Sequence, residues 1–168
     1  MKQKLTRILA ILCGVLLLGL LVWRLWPRSL ASISGSEFDK TVSFSVQTRT
    51  WRFEDGRPIR ETHLLEAEDT IPGSEHFAPV LEQFKAIKAR PSFGNLLRPW
   101  LLNGVSYGGS ADHVDVFVSF GDSTAFFSLT SKGELVIHNS AHLYFLTSDE
   151  PFDALWEYVT THGAENNS

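Results

Sequence analysis

Gly104-Val105-Ser106-Tyr107-Gly108 fits G-x-S-x-G, the spacing that presents a nucleophilic serine on a tight turn. Acyl transfer from Ser106 needs an imidazole within hydrogen-bond reach and a carboxylate to orient that imidazole. His138 and His142 are the candidate bases, and Asp115 and Asp122 the candidate acids. The motif also needs a strand before the serine and a helix after it, within a parallel sheet. Here Pro99 and Asn103 interrupt the approach, and a strand-like run, HVDVFVSF, follows. A glycine-rich connecting loop is therefore the leading reading, and a small membrane-tethered serine hydrolase the alternative.

His113, His138 and His142 are the candidate metal ligands, with Asp112 and Asp115 beside the first. Zinc would need at least three of these side chains to converge in a tetrahedron. His138 and His142 flank an expected turn, so their i, i+4 spacing does not put them on one helical face, and solvated histidines are the simpler reading. Glu61, Glu66, Glu68 and Asp69 lack the regular calcium-loop spacing and read as a charged strand edge, which discourages strand pairing. The chain carries no cofactor fingerprint, and none is expected.

Arg49, Trp51, Phe53 and Arg60 form the fourth group, and its chemistry is recognition. Aromatic and arginine side chains dominate interface hot spots. Asp55-Gly56 is a preferred two-residue turn, because both central positions need positive φ. Pairing Glu54 with Arg57 across it sets Val46 against Leu65, Phe44 against Ala67 and Trp51 against Arg60. Arg49, Trp51, Phe53 and Arg60 then share the face opposite Phe44 and Val46, with Arg60 placed for a cation–π contact on the indole. Either this face meets a partner or a further layer, such as LLRPWLL at 96–102, covers it.

The elements that must position these groups begin with an alternating strand at Val42, Phe44 and Val46. Phe77, Val80, Leu81, Phe84 and Ile87 recur at helical spacing and predict a helix over 75–88, N-capped by Ser74 and ended by Arg90-Pro91. HVDVFVSF, TAFFSL, ELVIH and HLYFL, divided by turn residues, predict a β-meander. Phe152, Leu155, Trp156 and Val159 predict a last helix, with Thr147 and Glu150 as its capping box. The fold expected is α+β: an antiparallel sheet of an N-terminal hairpin and a C-terminal meander, packed by two amphipathic helices.

Ahead of that domain lies an apolar run from Ile8 to Trp26, interrupted only by Arg24. About nineteen residues at about 1.5 Å each match the hydrocarbon thickness of a bilayer. Lys2, Lys4 and Arg7 before the run favour a cytoplasmic N-terminus. The expected organisation is a cytoplasmic tail at 1–7, a transmembrane anchor at 8–26, a Ser-rich stalk at 27–40, an extracytoplasmic domain at 41–162 and a frayed tail at 163–168. Ser29-Leu30-Ala31 resembles a signal-cleavage site and gives the competing reading, a secreted domain cut after Ala31.

The single cysteine, Cys13, falls inside the apolar run, so packing rather than disulfides must hold the domain. Five of the 15 basic residues and none of the 19 acids precede Ala31, which leaves the domain with 10 Lys+Arg against 19 Asp+Glu. That balance argues against nucleic acid and against anionic lipid headgroups as partners, since the phosphates of both would repel the domain. Sequence alone thus points to a membrane-anchored binding module whose partner is another protein or an envelope component.

Overall fold

The computed structural model describes residues 2–55, 57–92, 111–137 and 143–167. Helix α1, Lys2–Leu25, contains the apolar run up to Leu25 and stops two residues before Pro27, which disfavours helix in the residue before it. Its Arg7–Leu25 stretch has a mean hydropathy of 2.5, and none of it is buried against the rest of the chain. It is long and apolar enough to cross a membrane.

The remainder is α+β, built on one antiparallel sheet of nine strands in the order β1-β4-β8-β7-β6-β5-β2-β3-β9. In chain order these are β1 (Arg28–Ser29), β2 (Ser43–Glu54), β3 (Arg57–Leu65), β4 (Lys88–Pro91), β5 (His113–Ser119), β6 (Thr124–Thr130), β7 (Glu134–Ile137), β8 (Leu143–Leu146) and β9 (Ala164–Asn167). Val46 stands opposite Leu65, Trp51 opposite Arg60 and Glu54 opposite Arg57. Asp55 has φ 50°, a left-handed value that aspartate tolerates because its short side chain can hydrogen-bond locally. On its other side β2 pairs with β5, from Ser43 opposite Ser119 to Arg49 opposite His113.

Period-two alternation assigns Phe44, Val46, Val114, Val116, Val118, Phe127 and Leu129 to one face, and all are buried. Helices α3 (Phe77–Ala86) and α4 (Glu150–His162) lie against each other and against the sheet, sealing that face with Val80, Phe84, Phe152, Leu155 and Val159. Phe84 is the hub, with ring centroids 5.2 Å from Phe38, 5.0 Å from Phe127 and 6.0 Å from Phe44.

The structure differs from the sequence expectation at several boundaries. Residues 27–40 are not a loose stalk. Arg28 and Ser29 pair with Ala89 and Lys88, the short helix α2 (Leu30–Ser34) follows, and Leu30 and Phe38 are buried in the core. Serine and glycine suggested slack, but here they cap: Ser29 Oγ accepts from the Ser32 amide, and Gly35 turns left-handed at φ 69°. The C-terminal segment is not frayed either, since Ala164–Asn167 pairs with Glu61–Leu64. Gly163 allows that return, because a Cβ there would stand 2.6 Å from the Val159 carbonyl oxygen and 3.1 Å from the Leu64 backbone.

The caps differ as well. Helix α3 begins after His76 rather than Ser74, with Pro79 in its first turn, where the missing amide costs no helical hydrogen bond. Thr147 does not cap α4; its hydroxyl donates to the Lys88 carbonyl at 3.1 Å, and the Glu150 amide is met by Ser148 Oγ. Residues 88–91, placed at a helix end by periodicity, form strand β4 instead.

Candidate binding face

Helices α3 and α4 occupy one face of the sheet, and Arg49, Trp51, Phe53 and Arg60 occupy positions of the other. The structure divides these four sharply. Arg49 Nη2 lies 2.6 Å from Asp115 Oδ2, with the Asp115 side chain only 6% exposed and that of Arg49 32%. Ser128 Oγ donates to the second Asp115 oxygen at 2.6 Å. A charge removed from water must be matched by an opposite charge and by hydrogen bonds, and Asp115 obtains both from neighbouring strands. Arg49 is therefore a tie across the sheet.

His113 stands opposite Arg49. Burial, and then the Arg49 charge, hold its imidazole below the ordinary histidine range, against the opposing pull of Asp115, Asp112 and Glu134. His113 thus favours the neutral form. Arg49 Nε, Arg60 Nε and His113 Nδ1 are all buried without a hydrogen-bond partner among the described residues.

Past Arg49 the surroundings change. The pairing of β2 with β5 ends at Arg49, and that of β3 with β9 ends at Glu61. Thr50 Oγ1 hydrogen-bonds to Asp112 Oδ1 at this limit. Among the described residues, 51–54 and 57–60 pair only with one another, as a two-stranded ribbon beyond the wide part of the sheet. On it Trp51 is 50% exposed and Phe53 76% exposed. Arg52 closes the base of the ribbon with an ion pair to Glu61 at 2.9 Å, and His63 Nε2 lies 3.4 Å from the same carboxylate.

Arg60 stands opposite Trp51, but the expected cation–π contact between them is not formed. Among the described residues the arginine–indole contact is Arg28 over Trp23, at 5.1 Å from the ring centroid. Of the four candidates, Trp51 and Phe53 offer apolar surface, Arg60 offers an unpartnered buried Nε, and Arg49 is already engaged.

Ser106, His138 and His142 lie outside the described residues, as does the segment 96–102. The acids proposed beside them do not gather: Asp115 is held by Arg49 and Ser128, and Asp122 lies in the turn after β5, at the far end of that strand from His113. Among the described residues no three His, Cys, Asp or Glu side chains meet in an arrangement that could hold a metal, so His113 has no such company. Glu61 is paired with Arg52, while Glu66, Glu68 and Asp69 are exposed in the turn after β3.

Sequence reading missed a cluster where α3 meets α4. Tyr158 OH lies 2.9 Å from His76 Nδ1, and the Tyr158 ring stacks on His162 at 4.4 Å between centroids. Burial, with the nearby Glu75 charge, raises the Tyr158 hydroxyl above its usual range. Only the i, i+4 spacing of Tyr158 and His162 hinted at it; His76 is 82 residues away.

No family model, curated protein or solved structure matches this chain.

Proposed function

We propose that this chain is a single-pass membrane protein with its N-terminus in the cytoplasm, its domain outside, and a non-enzymatic role as an interaction module for a protein or envelope component. One observation carries the reading: Trp51 and Phe53 expose their rings on a paired, well-registered ribbon. Soluble surfaces scatter single apolar residues without consequence, but two aromatics on one face of a projecting element are what an interface uses as anchors. Arg60, half-buried beside them, adds positive charge to the same face. In this reading the hairpin and meander, braced by α3 and α4, serve as the rigid base that preorganises the ribbon. Lys2, Lys4 and Arg7 ahead of α1 support the orientation.

The test uses a photo-crosslinking amino acid at Phe53 of the full chain in its own cells. A discrete crosslinked product is expected, together with its loss on adding Trp51→Ala and its persistence with the same probe moved to Lys132 excluded. A crosslinking pattern unchanged by Trp51→Ala, or identical from both positions, would refute the ribbon as the binding element. Orientation is tested separately: protease added to intact cells, or to spheroplasts where an outer envelope layer shields the domain, should digest it.

A further inference from the structure

We propose that the sheet edge beside α1 is a headgroup site for an anionic phospholipid of the surrounding bilayer; this rests on α1 crossing the membrane. Leu25, the last residue of α1, lines a cavity of about 300 Å³ with Arg90, Pro91, Ser92 and Phe145. Only Trp26 and Pro27 separate α1 from β1, and Arg28 stacks on Trp23 while its Nη2 donates to the Trp23 carbonyl at 3.5 Å. The end of the helix therefore lies against this sheet edge. A bilayer that ends its hydrocarbon at Leu25 puts this cavity at headgroup level, beside the exposed indoles of Trp23 and Trp26.

Charge at this edge runs against that of the rest of the domain. The three edge strands read RS, KARP and LYFL, and they hold Arg28, Lys88 and Arg90 with no acid. Arg24 adds a fourth cation at the end of α1. Lys88 and Arg90 are exposed, and neither forms an ion pair among the described residues, although Glu134 on β7 stands opposite Phe145 and Asp149 follows β8. From Ala31 onward the chain carries 10 Lys+Arg against 19 Asp+Glu, but charges beyond about 8–10 Å are screened at physiological salt, so the local cations decide what binds here. A guanidinium matches phosphate geometry with two parallel donors, and the walls of Leu25, Pro91 and Phe145 suit the glycerol and first acyl carbons.

The experiment reconstitutes the full chain in vesicles of equal phosphatidylcholine and phosphatidylglycerol, extracts it in mild detergent, and counts the co-purifying lipids by mass spectrometry. Phosphatidylglycerol should be enriched over phosphatidylcholine by about fivefold for each cation engaged. Lys88→Gln with Arg90→Gln should lower that enrichment by about fivefold for each of the two cations removed. Both side chains are exposed, so the fold is not at stake. Arg52→Gln with Arg57→Gln, the same charge change on the ribbon, should keep the enrichment. Absence of enrichment, or equal loss from both double variants, would overturn the site. Displacement of the lipid by excess inorganic phosphate would reassign it to a free anion. Release of the chain from membranes by alkaline carbonate would remove the span and this site together, while leaving the ribbon's binding role to its own test.

Discussion

Arg49 and Phe53 stand four residues apart on the same strand and the same face of the sheet, yet they live in different solvents. Arg49 has strands on both sides, β5 carrying Asp115 and β3 carrying Thr62, and its guanidinium is spent on a buried carboxylate. Phe53 has a single neighbouring strand and three quarters of its surface in water. The difference is what the neighbouring strands supply. Alternation along a strand decides which face a side chain takes, and here the flanking strand brings the carboxylate that engages Arg49. Flanking strands alone do not cover this face, since Phe117 on β5, between β2 and β6, is 49% exposed. Within one strand, β2 passes from a structural element to a presenting one between Arg49 and Trp51.

That contrast predicts a steep gradient of mutational cost along and beneath β2. The largest effect belongs to the hub under the wide sheet: Phe84→Ala should cost about 3–5 kcal/mol, measured as a fall in the urea midpoint of the full chain in detergent. A cost under about 1 kcal/mol would mean that α3 does not seal the core as its ring contacts with Phe38, Phe44 and Phe127 require. Next comes Asp115→Ala, which leaves the Arg49 charge without its partner. Full burial of such an orphan costs about 3–5 kcal/mol; with Arg49 about a third exposed, about 2 kcal/mol is expected. Asp115→Ala combined with Arg49→Met should recover part of this loss, and a double variant as unstable as the single one would contradict the tie.

The same contrast explains what could be read before the structure was seen. Alternating apolar residues at Phe44 and Val46, and again through HVDVFVSF, made an antiparallel sheet in an α+β fold legible, and the apolar run, interrupted only by Arg24, made α1 legible as a helix long and apolar enough to cross a membrane. Such signals are local: one strand's own residues declare its period. The edges were not legible. Lys88-Ala89-Arg90-Pro91 and Ala164-Glu165-Asn166-Asn167 have no apolar alternation; they are strands because β8 and β3 offer unpaired backbone groups to them. Leu30 and Phe38 were hidden for a related reason, since the serines and glycine around them serve caps in a segment that reads as slack. At the candidate face, the shared side of Arg49, Trp51, Phe53 and Arg60 was legible from register alone. The capture of Arg49 was not, because Asp115 lies 66 positions away and nothing near Arg49 announces it.

A smaller effect should follow pH. The folded state holds His113 below its ordinary range through burial and Arg49, so the unfolded chain binds the proton more readily. Stability from this group is present above the unfolded histidine value, about 6.5, and is lost as pH falls through that value toward the lower folded one. His113→Gln should therefore flatten the stability profile of the full chain between neutral and mildly acidic pH. A profile with the same slope in wild type and variant would show that His113 is not shielded as its place beside Arg49 implies.

The smallest effect belongs at the ribbon, and its smallness matters. Phe53→Ala removes a ring that is 76% exposed, so it should change stability by less than about 0.5 kcal/mol, while Trp51→Ala, at a ring half covered, should cost about 1–2 kcal/mol. An aromatic retained for the fold would cost several times more, as Phe84 should. If Phe53→Ala lowers the urea midpoint as far as Asp115→Ala does, the ribbon is covered by the chain itself, its rings are core, and the contrast with Arg49 disappears. If it does not, the Phe53 ring contributes almost nothing to folding, and the proposed binding role of the ribbon passes this test.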